Sequence, residues 1–153
     1  MWENFWNLRV NERLTRWKLY RQKISELPLD QAVAEVADIW GQAPYVLGYL
    51  DASSPGTWPS PWELLAENHY CDLAIALGML HTLYFSAHKS ESYQLGVYYD
   101  SASRERVHVI SVNNNQYILN YWPRKVVNTK QFQKIKLKEL HIYSEQDLGL
   151  DQY

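Results

Sequence analysis

The chain has 153 residues, 46% hydrophobic and 21% charged, which fits one domain with one sizeable core and excludes a largely disordered segment. A formal net charge of −2 argues against general nucleic-acid binding, and no run approaches the roughly 20 apolar residues that span a bilayer. A single cysteine, Cys71, excludes an intramolecular disulfide, and Met1-Trp2-Glu3-Asn4-Phe5-Trp6 shows no signal pattern, so the expectation is a soluble intracellular protein with no nucleic-acid or membrane partner.

The first stretch reads as a helix to about Lys23 or Ile24, with Val10, Leu14, Trp17, Tyr20 and Ile24 on one stripe and Arg9, Glu12, Arg16 and Arg21 opposite. Pro28 opens a second helix with Ala32, Val33, Val36, Ile39 and Trp40 on its apolar side, and Gly41 stops it. From Gln42 to Trp58 periodicity fails, and Pro44, Gly48, Ser53, Ser54, Pro55 and Gly56 mark a long loop. Ser60-Pro61-Trp62-Glu63 then carries a cap, a first-turn proline and the acid of a capping box, so a helix starts at Pro61.

Two readings follow that start. A new helix beginning near His69 puts Cys71 in its first turn, where the dipole and unpaired N–H groups favour a thiolate. A continuous helix from Pro61 puts Cys71 in the third turn and removes that advantage. Either way Leu73 to Phe85 is apolar nearly all round, as a buried central helix is.

After Lys89 the period changes to two. Tyr93–Tyr99, Arg106–Val112 and Gln116–Trp122 read as antiparallel strands, with turns at Asp100-Ser101-Ala102-Ser103 and Asn113-Asn114-Asn115. Further strands are expected at Lys125–Asn128 and within Ile135–Tyr143. Helices first and strands after imply an α+β fold. The chain is read as a single domain, 1–153, with a helical part and loop over 1–58, a core over 60–122, and C-terminal strands and tail over 123–153.

Cys71, His108 and Asn120 follow one another in the order of a cysteine-nucleophile site: a thiol, a base to deprotonate it, and an amide to orient the base. If Asn113, Asn114 and Asn115 form a three-residue loop, His108 faces Asn120 with Cβ atoms roughly 5 Å apart. A two-residue loop at Asn114-Asn115 places His108 opposite Tyr121 instead. An active cysteine is expected to be partly exposed. For the oxyanion, the Cys71 N–H is one donor, and Asn68, Gln42 or the Trp62 indole are candidates for the second.

Cys-x-x-x-Ala at the head of a central helix, followed by a hairpin with His-Val on one strand and aromatic-x-Leu-Asn on the next, resembles the transglutaminase-like branch of the papain-type cysteine enzymes. The resemblance covers Asn68 to Trp122, and it implies a transglutaminase-like, papain-type core of N-terminal helices and an antiparallel sheet. It implies Cys71 as nucleophile, His108 as base, Asn120 as orienting residue, and no cofactor. Two positions differ: the family's third residue is usually Asp, often before Pro, where this chain has Asn120-Tyr121, and its frequent Gly before the cysteine is Tyr70 here. Separately, Trp58-Pro59-Ser60-Pro61-Trp62-Glu63-Leu64-Leu65 and Tyr70-Cys71-Asp72-Leu73-Ala74 resemble runs in small uncharacterised proteins of tailed phages, which implies a virion component or a host-directed factor.

Blander readings stand beside these. A lone cysteine on a buried helix is most often structural, and a strand histidine can simply be bonded to a tyrosine. His81 and His88 lie two helical turns apart, about 10 Å, too far to share one ion, so no metal is expected. Glu63 and Glu67 read as a solvated face. Lys130, Lys134, Lys136 and Lys138 read as the exposed face of a strand. Trp58 and Trp62 either wall a groove or staple the helix entrance. Seven Trp and twelve Tyr exceed what so short a chain buries with ease, so some are expected in a groove or partner contact.

Two functions are therefore expected. One is a cysteine hydrolase or acyltransferase acting on a protein or peptide amide through a thioester, with an intact or degenerate site. The other is a non-catalytic phage virion, assembly or host-interaction protein with an aromatic binding surface. The corresponding locations are the cytoplasm of the host cell or the virion. The oligomeric state is not legible.

Overall fold

The structure is a computed structural model that describes residues 4–153, which leaves Trp2 outside the described residues. A 3-10 turn at Phe5–Asn7 leads into α1 (Val10–Ser25), and α2 (Leu29–Trp40) follows directly. On α1 the expected stripe turns inward: Trp17, Tyr20 and Ile24 are buried, together with Arg13. Pro28 stands at the N-cap of α2 and Gly41 at its C-cap, where a Cβ on Gly41 would lie 2.7 Å from the Arg124 side chain. That close approach, at an ordinary φ, is what the glycine provides.

The next helix is short. In α3 (Pro61–Leu65) the Ser60 hydroxyl accepts from the Glu63 N–H, and the Glu63 carboxylate accepts from the Ser60 N–H. The chain then turns, and Tyr70 becomes extended. Its N–H donates to Pro44 O at 2.8 Å and its carbonyl accepts from the Val46 N–H at 3.0 Å, a single parallel bridge. Those bonds occupy the groups that a continuous helix would need, so a new helix, α4 (Asp72–Tyr84), starts with Cys71 as its N-cap. Every residue of α4 from Leu73 to Tyr84 is buried.

The sheet is antiparallel, in the order β4-β3-β2-β1-β5, from β1 (Tyr93–Asp100), β2 (Glu105–Val112), β3 (Tyr117–Leu119), β4 (Val126–Asn128) and β5 (Lys138–Ser144). The hairpin between β2 and β3 takes the two-residue register, Val112 opposite Tyr117 and Ile110 opposite Leu119. The reason is local: Asn114 and Asn115 both have φ above 50°, and the Gln116 N–H donates to Asn113 O across them, as in the type I′ turn that suits twisted strands. The three-residue loop, and with it the direct facing of His108 and Asn120, is therefore corrected. The third strand is also shorter than expected, because Asn120 takes φ 71° and leaves the ladder after Leu119.

Helices α2 and α4 lie on one face of the sheet, α4 packed between α2 and β2, while α1 packs on α2 and α4 and α3 on α1 and α4. On the opposite face Val109, Ile118 and Val127 are buried under Tyr98, Tyr121 and Phe132, the last from α5 (Thr129–Gln133). Lys130 thus lies on a helix and Lys134 caps it, which corrects the reading of these lysines as one strand face. Among the described residues no helix is long and apolar enough to cross a membrane.

The tryptophans divide. Trp17 and Trp40 are buried, and both indole N–H groups donate to one acceptor, the Thr82 hydroxyl, at 3.0 and 2.9 Å. Trp6 and Trp58 are half-buried, while Trp62 and Trp122 are exposed. Trp58 packs on Tyr143, and Trp62 on Phe85 and Tyr153, so the two do not staple the helix entrance together.

Candidate functional site

Break the chain at Tyr70 and α4 must begin at Cys71, its thiol at the helix end where the first N–H groups lack intrahelical partners. Period-two geometry brings His108 to the same place. On β2 the side chains of His108, Ile110 and Val112 share the face toward α4, which places His108 beside the first turn of that helix. There His108 Nδ1 lies 2.8 Å from Oδ2 of Asp72, and the same oxygen accepts the His108 main-chain N–H at 3.1 Å. A carboxylate on Nδ1 holds the proton there and leaves the Nε2 lone pair free to act as a base.

Asn120, the residue that follows β3, closes the arrangement. Its Nδ2 donates to His108 O at 2.8 Å, to Asp72 Oδ1 at 3.1 Å and to Asp72 O at 3.3 Å. The carboxamide therefore braces the Asp72 carboxylate and the β2 main chain, while Asp72 itself takes the imidazole. This corrects the expected division of labour, in which Asn120 would hold the ring directly. Asp72 was missed as an orienting group because a residue in a helix's first turn gives no sign of which strand packs against it.

Cys71, Asp72, His108 and Asn120 line one cavity of about 830 Å³, walled also by Tyr45, Leu47, Leu50, Asp51, Leu73, Ile75, Glu105, Arg106, Val107, Tyr121 and Pro123. Cys71 is only 1% exposed, against the expectation of a partly exposed thiol. The Tyr70 bridge lays residues 44–46 beside it, and Tyr70 itself packs on Trp6 and Trp40. Partial desolvation first, then the carboxylates of Asp72 and Glu105, shifts the Tyr45 phenol upward from its ordinary pKa.

The three side chains expected as oxyanion donors lie elsewhere. Trp62 is at the far end of α4, against Phe85; the Gln42 amide is bonded to Asp38 O at 3.1 Å; Asn68 is exposed outside the cavity wall. Of the two acids read as a solvated face, Glu63 serves the α3 cap and Glu67 accepts from the Tyr49 hydroxyl.

No protein-family model matches the chain, and no curated protein matches it. Solved structures do. LapG of Legionella pneumophila superposes with a TM-score of 0.70 at 14% identity, over 94% of this chain and 80% of that one. The calcium-bound form of LapG gives 0.67 at 13% identity, over 91% and 81%. The EGTA-treated form gives 0.70 at 14% identity, over 94% and 80%. At such identity the likeness carries the fold alone: helices followed by a five-stranded antiparallel sheet, the transglutaminase-like α+β fold. These bacterial neighbours lend the phage likeness no support.

Proposed function

We propose that the protein is a transglutaminase-like cysteine enzyme that cleaves or transfers the acyl group of a peptide or protein amide through a thioester. The observation that carries this reading is the Asp72 carboxylate bonded to His108 Nδ1 in the cavity whose wall includes Cys71. A cysteine kept only for packing has no use for a strand histidine held in one tautomer by a charged group.

The chemistry balances on these residues alone. Cys71 Sγ attacks the amide carbon and forms a C–S bond, while the thiol proton passes to His108 Nε2. Collapse of the tetrahedral intermediate breaks the C–N bond, and His108 returns the proton to the departing amine. Water, deprotonated by His108, then cleaves the thioester and releases the acid and the thiol; an amine in its place gives transfer. The Asp72 charge stabilises the imidazolium that forms in between. The Cys71 N–H and the Tyr45 phenol, both of residues on the cavity wall, are the donors assigned to the developing oxyanion.

Alkylation of Cys71 by iodoacetamide between pH 5 and 9 tests this, in the wild type, His108→Ala and Asp72→Asn. Rapid labelling at pH 6 to 7 that falls about tenfold or more in both variants is expected. Labelling that follows an ordinary thiol, near pH 8.5, and ignores both variants overturns the reading. The non-catalytic binding protein is then the better account, with exposed Trp62 and Trp122 as its first surfaces to test.

A further inference from the structure

Resting on that reading, we propose that the acyl donor is an extended polypeptide that docks as an added strand on a free edge of β2 at Arg106, with an apolar side chain against Leu47 and Leu50.

The edge follows from the register. The Asn113 N–H donates to Ser92 O, so the odd-numbered residues of β2 direct their main-chain groups toward β1. Even-numbered residues face the other way, as the His108 N–H on Asp72 and the His108 carbonyl under Asn120 show. On that side β3 pairs only with residues 110 to 112, since Asn120 turns the chain out of the ladder. The main-chain N–H and C=O of Arg106 therefore point off β2 with no strand beside them among the described residues. Arg106 is exposed and lies on the wall of the cavity that holds Cys71.

An unpaired N–H and C=O on one strand residue match the acceptor and donor of an extended chain, which is how peptides add to sheet edges. The vacancy lies two residues along the strand from His108, so a chain paired there runs directly past the base. Across the cavity Leu47 is 80% exposed and Tyr45 62% exposed. Apolar side chains held open beside a catalytic-type pair make a surface for an apolar side chain of the substrate. Position and chemistry agree on one occupant: a peptide segment in β conformation.

The test compares tripeptidyl chloromethyl ketones, whose C–Cl bond is broken as the Cys71 sulfur bonds to carbon and chloride leaves. The leucyl reagent is expected to label Cys71 about tenfold faster than its glutamyl analogue. N-methylation of the amide nearest the warhead but one is expected to slow it about tenfold, the worth of one hydrogen bond. Equal rates for all three overturn the proposal. In parallel, an acetylated leucyl tripeptide amide is titrated into Cys71→Ala. A shifted Arg106 amide resonance with slowed hydrogen exchange is expected, and an unmoved resonance overturns the proposal even if Cys71 is inert. An Arg106 amide already protected in concentrated protein without peptide assigns the edge to a second copy and overturns it too. Iodoacetamide labelling, which needs no subsite, reports separately on the thiol–imidazole reading.

Discussion

At Asn120 the carboxamide faces three acceptors at once: two oxygens of Asp72 and the carbonyl of His108. Only a donor suits that position, which gives a physical reason why this chain has an amide where the family it resembles usually has a carboxylate. Asn120→Asp is therefore expected to harm the site, because two carboxylates would stand about 3 Å apart and one would have to be protonated. The expected outcome is slower Cys71 alkylation at pH 7 by about tenfold, partly recovered near pH 5 as the pair takes up a proton; equal or faster labelling at pH 7 would sink the account of Asn120 as a donor. Asn120 also holds φ at 71°, a conformation asparagine tolerates better than most residues. Thr82 is a second residue whose identity is fixed by its bonds. Its hydroxyl donates to Gly78 O at 2.6 Å and accepts both buried indoles. Thr82→Val keeps the volume but strands two buried N–H groups, for an expected loss of about 3 kcal/mol in urea unfolding.

At the scale of elements, the site depends on the break between α3 and α4. The buried guanidinium of Arg13 secures it: Nη1 donates to Leu65 O at 3.1 Å and Glu67 O at 2.6 Å, and Nη2 to Leu8 O at 2.9 Å. The Tyr70 hydroxyl donates to the same Glu67 carbonyl at 2.9 Å, and burial pushes that phenol up to about 12. One side chain of α1 thus caps the end of α3 and anchors the segment that delivers Cys71. Arg13→Met leaves the Leu65 and Leu8 carbonyls without this donor and Glu67 O with the Tyr70 hydroxyl alone, and a loss of about 3 kcal/mol in urea unfolding is expected. Arg13→Lys is expected to recover only part of it, since an ammonium lacks the planar fork that reaches both segments. How α4 packs explains its composition as well. A Cβ on Gly78 would lie 2.3 Å from the Trp40 ring, so the glycine is what lets α2 and α4 approach.

Across the whole molecule, the core is stable at a cost in acid. His81 lies on α4 in the wall of a second cavity of about 450 Å³, with Nδ1 unbonded, and burial pushes its pKa down to about 3. In the unfolded chain a histidine titrates near 6.5. Between those values the unfolded state binds a proton that the folded state refuses, so stability falls as the pH drops from about 6.5 toward 3. The contribution is on the order of 3 kcal/mol by pH 4. His81→Leu is expected to flatten that part of the stability-versus-pH curve, measured by urea unfolding at pH 7, 5.5 and 4. An unchanged curve would mean that the folded protein admits the charge through the adjoining cavity.

Much of this was legible one element at a time. The stripe of α1, the capping box of α3, the all-round apolar α4 and the alternation of β1 and β2 each follow from local spacing, because burial of one face imposes its period on the residues that make it. The presence of Cys71, His108 and Asn120 in one cavity was also legible, from chain order joined to a family resemblance. The partnership inside that cavity was not. Whether a hairpin slips by one residue depends on the φ angles of three asparagines, and whether a helix stops at Leu65 depends on a bridge from Tyr70 to a loop 25 residues earlier. The sequence by itself determined most of the elements, the α+β order and the residues capable of chemistry, but not the break before α4, the helix α5 or the end of β3. Only tertiary structure decided that Asp72 holds the histidine, that Asn120 donates, and that β2 has an open edge at Arg106, because each depends on contacts between segments distant in the chain, which no local period encodes.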